Sequence, residues 1–165
     1  MQYRFRGPGM DDGDKTRRIL LRHKTLAVVG LSAQWHRPSY FAAKYMQEHG
    51  YRVIPVNPMY DEILGEKCYK SVRDIPEKVE IVDCFRKSSE IPALAEDAIA
   101  IGAKVLWMQL GVHSAEARTR AEAAGLEVVE DRCVKIEHGR FFGGLGWAGV
   151  NTKVISAKRA GAHGG

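Results

Sequence analysis

A chain of 165 residues suits one ordinary globular domain, large enough to bury a core without disulfides or structural metal. Its 45% apolar content excludes a disordered chain, and its longest apolar runs fall well short of the roughly 20 residues needed to cross a bilayer. The net charge of +5 sits on the extensions: residues 1–24 and 138–165 carry +4 each, leaving −3 for 25–137. A nucleic-acid-binding fold carries its basic face on the folded body, so no nucleic-acid partner is expected.

The chain begins MQYRFRGPGMDDGDKTRR, which lacks the apolar block of a secretory signal peptide. Cys68, Cys84 and Cys133 are too few and too scattered for a disulfide framework or a zinc site. A reducing, cytoplasmic setting without metal or membrane is expected, each cysteine serving as a small apolar residue. Cys133, beside Arg132, is the least ordinary of the three.

DKTRRILLRH, preceded by acidic and followed by basic residues, predicts a short leading helix within an extension over 1–24. The apolar run Leu26 to Val29 closed by Gly30 predicts a parallel strand covered on both faces. A helix from Pro38 to His49, closed by Gly50, follows. YRVIPV reads as a second strand ended by Asn57-Pro58, and GEKCYKSV as a short edge strand. EIVDCF is the fourth strand, with Ser88 and Ser89 as candidate caps for the helix IPALAEDAIAIG. KVLWMQL, the helix SAEARTRAEAAG and the strand LEVVED complete the alternation. Trp107 and Met108 are expected in the core.

Strand and helix in regular succession imply an α/β domain over 25–138, a doubly wound and mainly parallel sheet with helices on both faces. Right-handed crossovers predict the strand order 3-2-1-4-5-6, with a ligand crevice beyond the carboxyl ends of strands one and four. Residues 139–165, rich in glycine and basic, remain an appended segment that Phe141, Phe142 and Trp147 would pack onto the body.

GLSAQWHRPSY follows the first strand and places Gly30, Ser32, Arg37 and Ser39 around a turn and a helix N-terminus, an arrangement suited to an anion. A serine here also suits a plain helix cap. G-x-G-x-x-G and an acidic residue ending strand two are both missing, which disfavours NAD. Asn57 stands at the second position, neutral and so compatible with a phosphorylated ribose, or simply part of a turn. Phe85 and Arg86 end the fourth strand, the one able to lie against a ring or chain and the other to meet a phosphate. Gln109 ends the fifth and could hydrogen-bond a thioester or amide, with Gly111 before another helix N-terminus.

VVGLS, RPS, GYRVIPVNP, ILGEKCYKSVRDIP, VDCFR, AIAIGAK, WMQLGV, AEAAGLEVVEDRC and KIEH occur in one order. Over roughly residues 20–138 the chain resembles the stand-alone CoA-binding domain family, similar to the N-terminal domain of the succinyl-CoA synthetase α subunit. The resemblance implies a Rossmann-like fold and a coenzyme A or acyl-CoA ligand. It implies that Gly30, Ser32 and Arg37 meet the pyrophosphate, that Val56, Asn57 and Pro58 meet the adenosine end, and that Phe85, Arg86 and Gln109 flank the pantetheine. Nothing after residue 138 is long enough for the synthetase's phosphohistidine domain. His113 and His36 lack a paired carboxylate or nucleophile at recognisable spacing, so no catalytic residue is assigned. The expectation is a non-catalytic carrier, sensor or partner module, with a protein partner or homo-oligomer left open. The alternatives are a small NAD(P)-dependent oxidoreductase or acyl-CoA transfer enzyme working near Gln109 and His113, and an interaction protein acting through its basic tails.

Overall fold

Helix α1 (Pro8–Arg22) and strand β1 (Thr25–Val29) open the fold, which the computed structural model describes over residues 8–143, with side chains from residue 13 onward. There follow α2 (Pro38–Glu48), β2 (Arg52–Val56), β3 (Glu62–Ile63), β4 (Glu66–Lys67), β5 (Ile81–Cys84), α3 (Ile91–Ala100), β6 (Val105–Met108), α4 (Ala115–Ala123), β7 (Glu127–Val129) and α5 (Val134–Phe142). Five strands form one parallel sheet in the order β2-β1-β5-β6-β7.

Its strands are apolar on both sides because helices cover both faces. Ala27, Val29, Val82, Cys84, Leu106 and Met108 face α3 and α4, where they meet Ile91, Ala95, Ala98, Ala117 and Ala121. Leu26, Val28, Ile81, Val105 and Trp107 face the other way, against Ile19 and Leu20 of α1, Ala42, Ala43 and Met46 of α2, and Val134 of α5. Trp107 and Met108 are fully buried, as expected. The Trp107 indole is also satisfied, donating to the Arg132 carbonyl at 2.8 Å.

α2, α3 and α4 each end in the same closing motif, in which the residue after a positive-φ glycine reaches back to the third residue from the helix end. Tyr51 N bonds Met46 O at 3.0 Å, Ala103 N bonds Ala98 O at 3.0 Å and Leu126 N bonds Ala121 O at 2.9 Å. Each motif turns the chain into the next strand. Ser114 caps α4 as read from the sequence, accepting from Ala117 N at 3.1 Å. Ser88 does not cap α3; its Oγ accepts from His113 N at 2.9 Å, and α3 begins after a 3-10 turn over Ser88–Glu90.

The predicted edge strand is a correction. GEKCYKSV does not become the third strand of the sheet, because Leu64 and Gly65, both at positive φ, turn the chain into the small antiparallel ladder β3-β4. What remains of strand three is one parallel bridge from Val56 to Tyr69, held by Tyr69 N to Pro55 O at 3.0 Å and Asn57 N to Tyr69 O at 2.9 Å.

The leading helix spans 15 residues, longer than expected, and Ile19 and Leu20 are wholly buried. α5 runs past residue 138, with Phe142 packed on the α1/α2 side of the core and Phe141 close to Gly13. Trp147 lies outside the described residues. Among the described residues no helix is long and apolar enough to cross a membrane, and no group of three or more His, Cys, Asp or Glu could hold a metal ion.

Candidate functional site

β1 pairs with β2 on one side and β5 on the other; the chain leaves β1 through α2 on one face of the sheet and β5 through α3 on the opposite face. The carboxyl ends of β1 and β5 therefore cannot be bridged by a short loop, and a groove opens there.

One end of the groove is a hollow of about 340 Å³ lined by Gly30, Ser32, Gln34, Arg37, Ser39 and Asn57, with Pro38, Met59, Tyr60 and Phe85 closing it. Gly30 has φ +88, and its N–H donates to Val56 O at 2.8 Å, which brings the loop back across the end of β2. Pro38 starts α2, where its missing N–H costs nothing, and among the described residues no side chain caps this helix. The serines are used elsewhere: Ser39 Oγ accepts from Ser32 N and Ser32 Oγ from Gln34 N, both at 3.0 Å. They shape the loop rather than close the helix end. Its first turn, with the partial positive charge of the helix dipole, stands beside the hollow. Arg37 precedes it with no carboxylate partner among the described residues; its Nε reaches only Gln34 Oε1, at 3.4 Å.

Asn57 is a clamp. Its Nδ2 donates to Leu31 O at 3.0 Å and its Oδ1 accepts from Met59 N at 2.9 Å, so one side chain ties the loop after β1 to the turn after β2. Val56 is buried in the core and meets the site through its carbonyl alone. Pro58 is exposed outside the hollow's lining, its carbonyl accepting from Lys70 Nζ at 3.0 Å.

The other end is a larger hollow of about 640 Å³ between α2 and α5, lined by Phe85, Arg86, Gln109, Gly111, Leu110 and Cys133. Pro38 and Phe85 belong to both hollows, so the two meet at these residues. Arg86 is paired with Glu90 at 2.7 Å, and the Gly111 N–H is already given to Asp131 Oδ1 at 2.7 Å. Gln109 is 3% exposed and donates from Nε2 to Asp83 Oδ1 at 2.5 Å. Burial holds the Asp83 carboxyl up to about 7, against the lesser opposing effect of the Gln109 bond. Burial likewise pushes the Cys84 thiol well above its ordinary value.

His113 lines a separate polar hollow of about 250 Å³ with Lys15, Arg118 and Asp131, not the one that holds Gln109. His36 is exposed on the loop after β1. Sequence reasoning missed Gln34, Met59, Leu110 and Ile136. The signal for three of them is physical: Met59, Leu110 and Ile136 are large apolar side chains left 80%, 64% and 51% exposed around the groove. Asp83 was visible as an acid inside the apolar run IVDC, but nothing in one sequence pairs it with Gln109.

Fold and site together define a doubly wound, Rossmann-like α/β domain with a groove across its switch point, polar at one end and more apolar at the other. The chain belongs to the CoA binding domain family, which matches residues 24–139. It is similar to the uncharacterized protein YneT of Bacillus subtilis, 42% identical over 120 residues, which are 73% of this chain and 89% of that one. It is also similar to part of an ADP-forming acetate–CoA ligase of Methanocaldococcus jannaschii, 31% identical over 81 residues, 49% of this chain and 12% of the ligase. Among solved structures, a hypothetical protein from Pyrococcus horikoshii superimposes with TM-score 0.77 at 46% identity, covering 79% of this chain and 92% of that one.

Proposed function

We propose that this protein binds coenzyme A or an acyl-CoA across the two hollows and acts without chemistry of its own, as a carrier, a sensor or a partner of another protein. The observation that carries the reading is the continuity of the two hollows at Pro38 and Phe85. A ligand with an anionic nucleotide at one end and a long, mostly apolar arm at the other matches that polarity.

In this reading Gly30, Ser32 and Ser39 shape the loop that receives the pyrophosphate, α2 presents its open first turn, and Arg37 supplies a full charge. Asn57 holds the adenosine side of the groove in shape, with Val56 behind it in the core and Pro58 outside its lining. Phe85 lies where the arm passes from one hollow to the other, and Arg86, Gln109 and Gly111 border the arm. Arg86 must exchange part of its Glu90 pairing for any phosphate it meets. A non-catalytic role is supported by the separation of His113 from the hollow that holds Gln109.

Titration calorimetry with CoA, dephospho-CoA, acetyl-CoA and NAD tests the proposal. Binding of CoA that weakens for dephospho-CoA is expected. Tighter binding of NAD(P), or a cofactor-dependent absorbance change, would instead establish the oxidoreductase alternative.

A further inference from the structure

Asp83 lies in register between Val28 of β1 and Trp107 of β6, 1% exposed, in the layer that α1, α2 and α5 cover. One of its oxygens takes the Gln109 Nε2–H at 2.5 Å, while Oδ2 is buried without a hydrogen-bond partner among the described residues. A carboxyl group so placed costs free energy and is only half repaid by its single bond. Replacement by an apolar residue of similar volume would remove that cost, so the acid does not serve packing. The group it does serve is Gln109, which borders the larger hollow.

A primary amide carries its donor and its acceptor on opposite arms, and an ionised carboxylate can only accept. With Nε2 turned to Asp83, the arm of Gln109 left for the hollow is the oxygen. We infer that Asp83 is a positioning residue that locks the Gln109 amide with Oε1 toward the hollow, so that this site reads an N–H donated by the ligand. The inference rests on the coenzyme A reading above. It names the part of the ligand that is read: an amide N–H of the pantetheine arm. A thioester carbonyl, which only accepts, gains nothing from this oxygen. The same chemistry makes the hollow indifferent to whether the thiol carries an acyl group.

The test is calorimetry of the full chain at pH 8, above the Asp83 pKa of about 7, with CoA and with an analogue whose cysteamine-side amide N–H is replaced by CH₂. The expected preference for CoA over the analogue is about 10-fold, one neutral hydrogen bond whose acceptor is otherwise left dry. Asp83→Leu frees the Gln109 amide to turn, and the preference falls below about 3-fold, although relief of the buried acid keeps the fold intact. Asp83→Asn can either accept from the Gln109 amide or donate to it, so the one-way lock is relaxed and the preference falls below that of the wild type. Gln109→Leu abolishes it and carries the test should Asp83→Leu fail to fold. Equal binding of CoA and analogue by the wild type, or an undiminished preference in either leucine variant, overturns the inference and leaves coenzyme A binding standing. No binding of CoA at all overturns both.

Discussion

A Cβ added to Gly30 would stand 2.3 Å from the Phe85 carbonyl oxygen and 2.8 Å from Arg86 Cδ, so the ends of β1 and β5 touch through a residue that has no side chain. The backbone there also sits at φ +88, which L side chains rarely adopt. Arg86 can swing away, but the carbonyl belongs to the turn that follows β5 and cannot. Gly30→Ala is expected to destabilise the protein by about 2–4 kcal/mol, the left-handed conformation and the steric displacement acting together. Urea unfolding midpoints measure it; a loss under about 0.5 kcal/mol would mean that the loop moves freely.

Arg37 offers a separable test of the anion end. Its guanidinium is exposed and, among the described residues, held only by Gln34 at 3.4 Å, so truncation leaves no buried group of these unpaired. Arg37→Ala should leave the unfolding midpoint within about 0.5 kcal/mol of wild type. The same variant should weaken CoA by about 1.5–3 kcal/mol through loss of a charge-assisted phosphate contact. Unchanged affinity measured by calorimetry would remove Arg37 from the site.

Much of this architecture was legible because its signals are local. Leu26 to Val29, Ile81 to Cys84 and Val105 to Met108 are apolar runs of strand length, and Gly50, Gly102 and Gly125 close helices where glycine avoids a steric cost. The third strand is misread because Cys68, Tyr69 and Val72 lend GEKCYKSV an apolar, β-prone character, while the competing turn at Leu64-Gly65 is decided by two positive φ values. The loop residues Gly30, Ser32, Arg37 and Ser39 do converge on one hollow, since their spacing along a strand-turn-helix unit fixes their distances. Asn57 and Gln109 show what a single sequence withholds. Both positions were found, yet Leu31 and Asp83, the groups they bind, lie 26 residues away in each case.

Asp83 makes stability depend on pH in an unusual direction for an acid. Burial raises its folded pKa from 3.8 to about 7, so between these values the folded state holds a proton that the unfolded chain has released. Stability therefore falls as pH rises from about 4 to about 7 and is flat beyond. From pH 5 to pH 8 this one group should remove on the order of 3 kcal/mol. Asp83→Asn cannot ionise, and relative to wild type its unfolding free energy should gain about that much over the same interval. Parallel pH profiles for the two proteins would show that the folded protein already carries the carboxyl ionised at pH 5, as a solvated group would be.

His138 has the opposite sign in an overlapping window, which is why whole-protein pH scans cannot separate the two. It is 6% exposed, its Nδ1 is hydrogen-bonded with the Tyr45 hydroxyl at 2.9 Å, and its ring lies edge-on to Tyr45 and Tyr51. Burial first, and then the nearby His49 and Lys24, lower its pKa from 6.5 to about 4. Between these values the unfolded chain binds a proton that the folded state refuses, so stability is lost as pH falls from 6.5 towards 4. His138→Gln keeps a hydrogen-bond partner for Tyr45 but has no charge to avoid. At pH 7.5 the variant should be less stable by about 1 kcal/mol, through imperfect packing in place of the ring. At pH 5 the wild type should have lost on the order of 2 kcal/mol that the variant keeps, so that their order of stability reverses. Urea midpoints of both proteins at the two pH values decide it, and a variant that is less stable by the same amount at each would show that the imidazole takes up its proton without leaving its pocket.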